Sequence, residues 1–80
     1  MPYITVKELE KKFKQLLRIS KSYLKNARES TGKSRLYLLV RAYGYASEAE
    51  MALDLLGLSE SQWAEDLTLL IYDIDEELGV

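Results

Sequence analysis

Apolar side chains in the first third of the chain recur at helical spacing: Val6, Leu9, Phe13, Leu16, Leu17, Ser20, Tyr23, Leu24 and Ala27 fall on one continuous helix face. Val6, Phe13, Ser20 and Ala27 step by seven within it, and Ser20 is its one polar member. Thr5 with Glu8 three positions later forms a capping box, and Ile4 can staple onto Leu9, so a first helix is expected from Val6 to about residue 29. Ser30, Thr31 and Gly32 follow, and a glycine there can take the left-handed backbone that stops a helix. Ser34 is the expected cap of a second helix over about residues 35–56, ended by Gly57. Ser59 and Gln62 make a second capping box with Leu58 placed to staple onto Trp63, which predicts a third helix over about 60–78, ended by Gly79. Its apolar face reads Trp63, Leu67, Leu70, Ile71, Ile74 and Leu78.

No segment alternates with period two, and the connections are short. Sequential helices joined by short turns pack as antiparallel neighbours. The expected fold class is therefore all-α: a small up-down-up three-helix bundle, one helical domain over residues 1–80, with the first and third helices parallel.

The second helix carries more apolar surface than such a bundle uses. Leu38, Leu39, Ala42, Tyr45, Ala46, Ala49, Ala52, Leu53 and Leu56 fill one arc, whose four alanines let neighbouring helices approach closely. Almost opposite runs a second stripe: Tyr37, Val40, Gly44, Ser47, Met51 and Leu55, at steps of three or four. Both neighbouring helices would sit on the first arc, so the second stripe is expected to meet another molecule; the alternatives are cover by the N-terminal arm of residues 1–4 or ordinary scattered surface apolars, which monomers tolerate. Gly44 adds to this, because a glycine inside a helix costs about 1 kcal/mol relative to alanine and close backbone approach is a reason to keep it.

Charge is sorted along the chain. Residues 1–35 hold ten basic and three acidic side chains, a net of +7, and residues 36–80 hold one basic and ten acidic, a net of −9, together the overall −2. On the first helix Lys7, Lys14, Lys21 and Arg28 recur every seven residues, with Lys11, Arg18 and Lys25 beside them. Such a band can contact phosphates or an anionic membrane surface. The acidic total, and the lack of any nucleic-acid-binding signature, favour the alternative that the band is solvated or partly absorbed in a charge seam, where Lys7, Lys14 or Lys21 approaches Asp66, Asp73 or Glu77 of the third helix.

Composition narrows the chemistry. With no cysteine and no histidine, disulfides, thiolate or imidazole catalysis and the usual zinc sites are excluded. The stretch from Ala27 to Ser34 resembles a phosphate-binding loop in letters only, since it lies at a helix end with no preceding strand. Asp73, Asp75, Glu76 and Glu77 are hard oxygen donors on a helix without a calcium loop's turns, and the pairs Glu50 with Asp54 and Glu65 with Asp66 lack an apolar pocket that would raise one pKa. The tyrosines suit core and interface positions, where an apolar ring and a polar tip are both used. No cofactor or metal is expected, and the N-terminal residues lack a signal peptide's apolar segment, so a cytoplasmic setting is the expectation. At 80 residues the chain buries only about 60–65% of its unfolded surface, so a second copy or a partner would add stability. The expected function is a non-enzymatic protein–protein interaction module (adaptor, inhibitor or small regulator) acting through the second stripe on a protein partner or as a homodimer. The competing class is a nucleic-acid-associated protein using the basic band.

Overall fold

A computed structural model describes residues 5–58 and 61–79. Three helices follow one another: α1 (Val6–Arg28), α2 (Gly32–Leu56) and α3 (Gln62–Leu78), and among the described residues there is no strand. The architecture is the all-α three-helix bundle that the apolar periodicity predicts.

α1 starts where its capping box places it: Thr5 has extended backbone, and its hydroxyl accepts from the Glu8 N–H at 3.1 Å. Ile4, the other half of the expected staple, lies outside the described residues. Two helix starts differ from expectation. α2 begins at Gly32 rather than near Arg35, so Ser34 sits inside its first turn instead of capping it, and Thr31 is the cap residue without a side-chain hydrogen bond. Gly32 is left-handed (φ +63°), but it opens α2 rather than closing α1, which has already ended at Arg28. α3 begins at Gln62, not Glu60: Ser61 caps it, its hydroxyl accepting from the Ala64 N–H at 3.4 Å and donating to the Leu58 carbonyl at 2.7 Å. Ser59 and Glu60, on which the expected box rests, lie outside the described residues. The C-terminal stops of α2 and α3 are as anticipated. Gly57 is left-handed (φ +71°), with its N–H on the Asp54 carbonyl and that of Leu58 on the Leu53 carbonyl, which satisfies two otherwise orphaned helix-end acceptors.

α2 is the central element. α1 packs against it extensively, α3 less so, and α1 touches α3 little. The transverse extents of 26 and 15 Å accordingly describe a flattened bundle that opens between α1 and α3. The core is the set of faces read from periodicity: Phe13, Leu16, Leu24 and Ala27 from α1, Leu39, Ala42, Ala46, Ala49, Ala52 and Leu53 from α2, and Leu67, Leu70 and Ile74 from α3. Trp63 is half-buried, as expected at the start of α3. Val6 is the exception: it is 67% exposed because the first turn of α1 projects beyond the core, whose first fully buried residue is Phe13.

Ser20 explains how α1 and α2 fit. It is wholly buried, and its hydroxyl donates to the Ala42 carbonyl at 2.7 Å. A short side chain reaching the neighbouring backbone requires the close approach that the α2 alanines permit, and the bond removes the cost of burying the hydroxyl.

Two links fasten α1 to α3 at opposite ends. Near their N-termini Phe13 stacks on Trp63 (centroids 5.4 Å apart, planes 16° apart), and Lys14 Nζ lies 5.2 Å from the Trp63 ring centre. Near their C-termini Glu77 accepts from Arg28 Nε at 3.3 Å and from Arg35 Nη2, and Arg35 also reaches the Glu77 carbonyl at 3.3 Å. One carboxylate thus ties the end of α1, the start of α2 and the end of α3 together. Hydrogen bonding from Arg35, helped by Arg28 and opposed by desolvation, holds the Glu77 carboxyl below the ordinary range.

Candidate interaction surface

The second stripe of α2 lies in the open. Tyr37 is 61% exposed, Val40 57%, Met51 66% and Leu55 76%, and Gly44 is exposed between them. Ser47 is half-buried at the margin. The same helix turns Ala42, Ala46 and Ala49 fully inward, so the two apolar faces are distinct and only one is used by the fold. Leu36 (55% exposed) and Tyr43 (44%) widen the outward face, and neither was assigned to it from spacing. The N-terminal arm offered as an alternative cover lies outside the described residues.

Gly44 sits in a regular helix, without positive φ, and no atom outside the local helix backbone lies within 4 Å of where a Cβ would stand. Nothing inside the chain therefore requires glycine there. Its missing side chain leaves a shallow hollow of about 270 Å³ lined by Val40, Arg41, Gly44, Tyr45 and Glu48.

One flank of the stripe is ordered by an aromatic and cationic cluster that spacing alone did not reveal. Tyr23 of α1 stacks on Tyr45 of α2 (centroids 5.4 Å apart), and the Arg41 guanidinium lies 5.3 Å from the Tyr45 ring centre and 5.8 Å from that of Tyr23. Arg41 Nη2 donates to the Tyr45 hydroxyl at 3.0 Å. The neighbouring Tyr23, together with Tyr45 and Tyr37, raises the Arg41 pKa. The legible signal was the four-residue step from Arg41 to Tyr45, which puts both on one helix edge.

The basic band is arranged differently. Lys7, Lys11, Lys14, Arg18, Lys21, Lys25 and Arg28 are all exposed on α1. Lys14 is engaged with Trp63 and Arg28 with Glu77. Lys21, Lys25 and Arg28 form one wall of an open groove of about 670 Å³ between α1 and α3, faced by Asp66 and Asp73 with Leu24 and Leu70 at its floor. The charge seam between α1 and α3 is thus present, but the arginines make its ion pairs where Lys7, Lys14 or Lys21 were expected to. The phosphate-loop look-alike spans a helix end, a turn and a helix start, and among the described residues no carboxylate cluster is arranged to hold a metal ion. Among the described residues no helix is long and apolar enough to cross a membrane. No protein-family model, curated protein or solved structure matches this chain.

Proposed function

We propose that this chain is a non-enzymatic protein–protein interaction module, a small adaptor, inhibitor or regulator, that engages its partner through the outward face of α2. One observation carries the reading: Tyr37, Val40, Met51 and Leu55, each more than half exposed, run along a helix whose opposite face is already filled. Scattered exposed apolar residues are ordinary on a protein surface, but apolar residues aligned on one helix face are the pattern by which helices recognise partners. The stacked Tyr23, Tyr45 and Arg41 supply a rigid edge of the residue types that dominate binding energy at interfaces. A cytoplasmic setting belongs to the same proposal.

The test is retention of native-cell proteins on the immobilised chain, compared between wild type and Val40→Asp, with the retained proteins identified. Val40 is exposed, so the charge is harmless in the free chain and costly in a contact that excludes water. A protein held by wild type and released by Val40→Asp supports the reading; identical retention by both removes the α2 face from function.

The exposure of the basic band supports a second reading, association with nucleic acid through Lys7, Lys11, Arg18, Lys21 and Lys25. The acidic wall formed by Asp66 and Asp73 in the same groove weighs against it, because it repels the phosphates that the lysines would attract. Binding to nonspecific duplex at low salt, weakening with a negative log-log salt slope, is its signature.

A further inference from the structure

From the charge and apolar pattern about Gly44 we infer that the α2 face takes a second copy of this chain, with the two α2 helices antiparallel and crossing at Gly44. This rests on the α2 face being the interaction surface, and it names the partner. In a twofold-symmetric antiparallel pair, residues equally far from the crossing point face one another. Tyr37, seven positions before Gly44, then meets Met51, seven after, and Val40 lies beside Ser47 of the second copy. Arg41 and Glu48 are seven residues apart, so they share one flank of the helix at three and four positions from Gly44. The twofold axis brings Arg41 of each copy to Glu48 of the other, making the same pair twice. A patch that carries a cation and an anion at nearly equal reach on one flank, with Tyr37 and Met51 at equal reach along its length, is complementary to itself.

Four further features fit this occupant. Gly44 has open space above it and no role inside the chain, and the absence of a Cβ at the crossing lets two backbones approach. Antiparallel α2 helices oppose their dipoles favourably. The net charge of −2 leaves little repulsion between copies. Leu36 and Tyr43 widen the buried strip toward the roughly 800 Å² per partner of a stable interface.

Sedimentation equilibrium from micromolar to millimolar concentration, on wild type, Arg41→Glu, Glu48→Arg and the double exchange, tests the inference, with circular dichroism confirming that each variant is folded. The expected result is a wild-type dimer, dissociation constants raised about tenfold or more in each single variant by two like-charge contacts, and recovery in the double exchange. Glu48→Arg is the cleaner single variant, because Arg41→Glu also removes the cation stacked on Tyr23 and Tyr45. A monomer throughout the range overturns the inference, as does a dimer indifferent to the single exchanges or not restored by the double one. A monomeric wild type that still retains a native protein lost on Val40→Asp leaves the proposed function standing, so the two failures are distinguishable.

Discussion

Replacing Gly44 by alanine should move the stability of the single chain and its assembly in opposite directions. The site is in the interior of α2, exposed, with no positive φ and no atom outside the local helix backbone within 4 Å of a new Cβ, so alanine enters without a clash. Relieving the backbone entropy of a mid-helix glycine gains about 0.5–1 kcal/mol. For a domain of this size that corresponds to a rise in Tm of about 2–8 °C. The added methyl would also hold apart two helices crossing at that point and disturb contacts on either side. Association adds native-state stability that grows with concentration, so wild-type Tm should climb from micromolar to millimolar protein, while that of Gly44→Ala starts higher and stays nearly flat. Thermal melts followed by circular dichroism across that range, with sedimentation on the same samples, read both effects. A fall in Tm for the dilute variant would refute the claim that Gly44 has no role within the chain. A raised Tm with unchanged concentration dependence would refute its place at the crossing.

Ser20→Ala should cost about 1 kcal/mol in urea unfolding, because a buried hydrogen bond to Ala42 is lost while the space stays filled, and Ser20→Val should cost more by forcing α1 away from the alanines. Phe13→Ala should cost about 3–5 kcal/mol, a large part of what a domain of this size has, and its helical signal should be mostly lost near 37 °C. Glu77→Gln should lower Tm at neutral pH. A carboxylate whose folded pKa is depressed contributes stability above its unfolded pKa and loses it as pH falls through the folded value, so the gap between variant and wild type should close in acid. A gap that is independent of pH would place the effect in packing rather than in the pairing with Arg28 and Arg35.

The fold was legible because its signals are local and repeated. The inward arc of α2, the faces of α1 and α3, and the stops at Gly57 and Gly79 follow from periodicity and from left-handed glycine geometry, which depend on a few residues each. The helix starts were less legible where serines crowd. Ser34 and Ser61 are both chemically competent caps, and the geometry of the preceding turn, which no single residue encodes, makes Ser61 a cap and Ser34 part of a helix. The stripe of Tyr37, Val40, Gly44, Met51 and Leu55 could be read from spacing because the helix wheel places it opposite the arc that the bundle fills. The Tyr23, Arg41 and Tyr45 cluster could not, since it joins two helices and depends on their relative rotation. The same dependence gives the ion pairs at Glu77 to Arg28 and Arg35 rather than to the lysines.

The most direct test of the α2 face is a dilution series of amide proton–nitrogen correlation spectra on the isotope-labelled chain. Self-association through that face predicts concentration-dependent shifts concentrated at Tyr37, Val40, Arg41, Gly44, Glu48 and Met51, with the α1–α3 groove around Leu24, Leu70 and Asp73 unmoved. Shifts confined to that groove, or none up to millimolar protein, would contradict it.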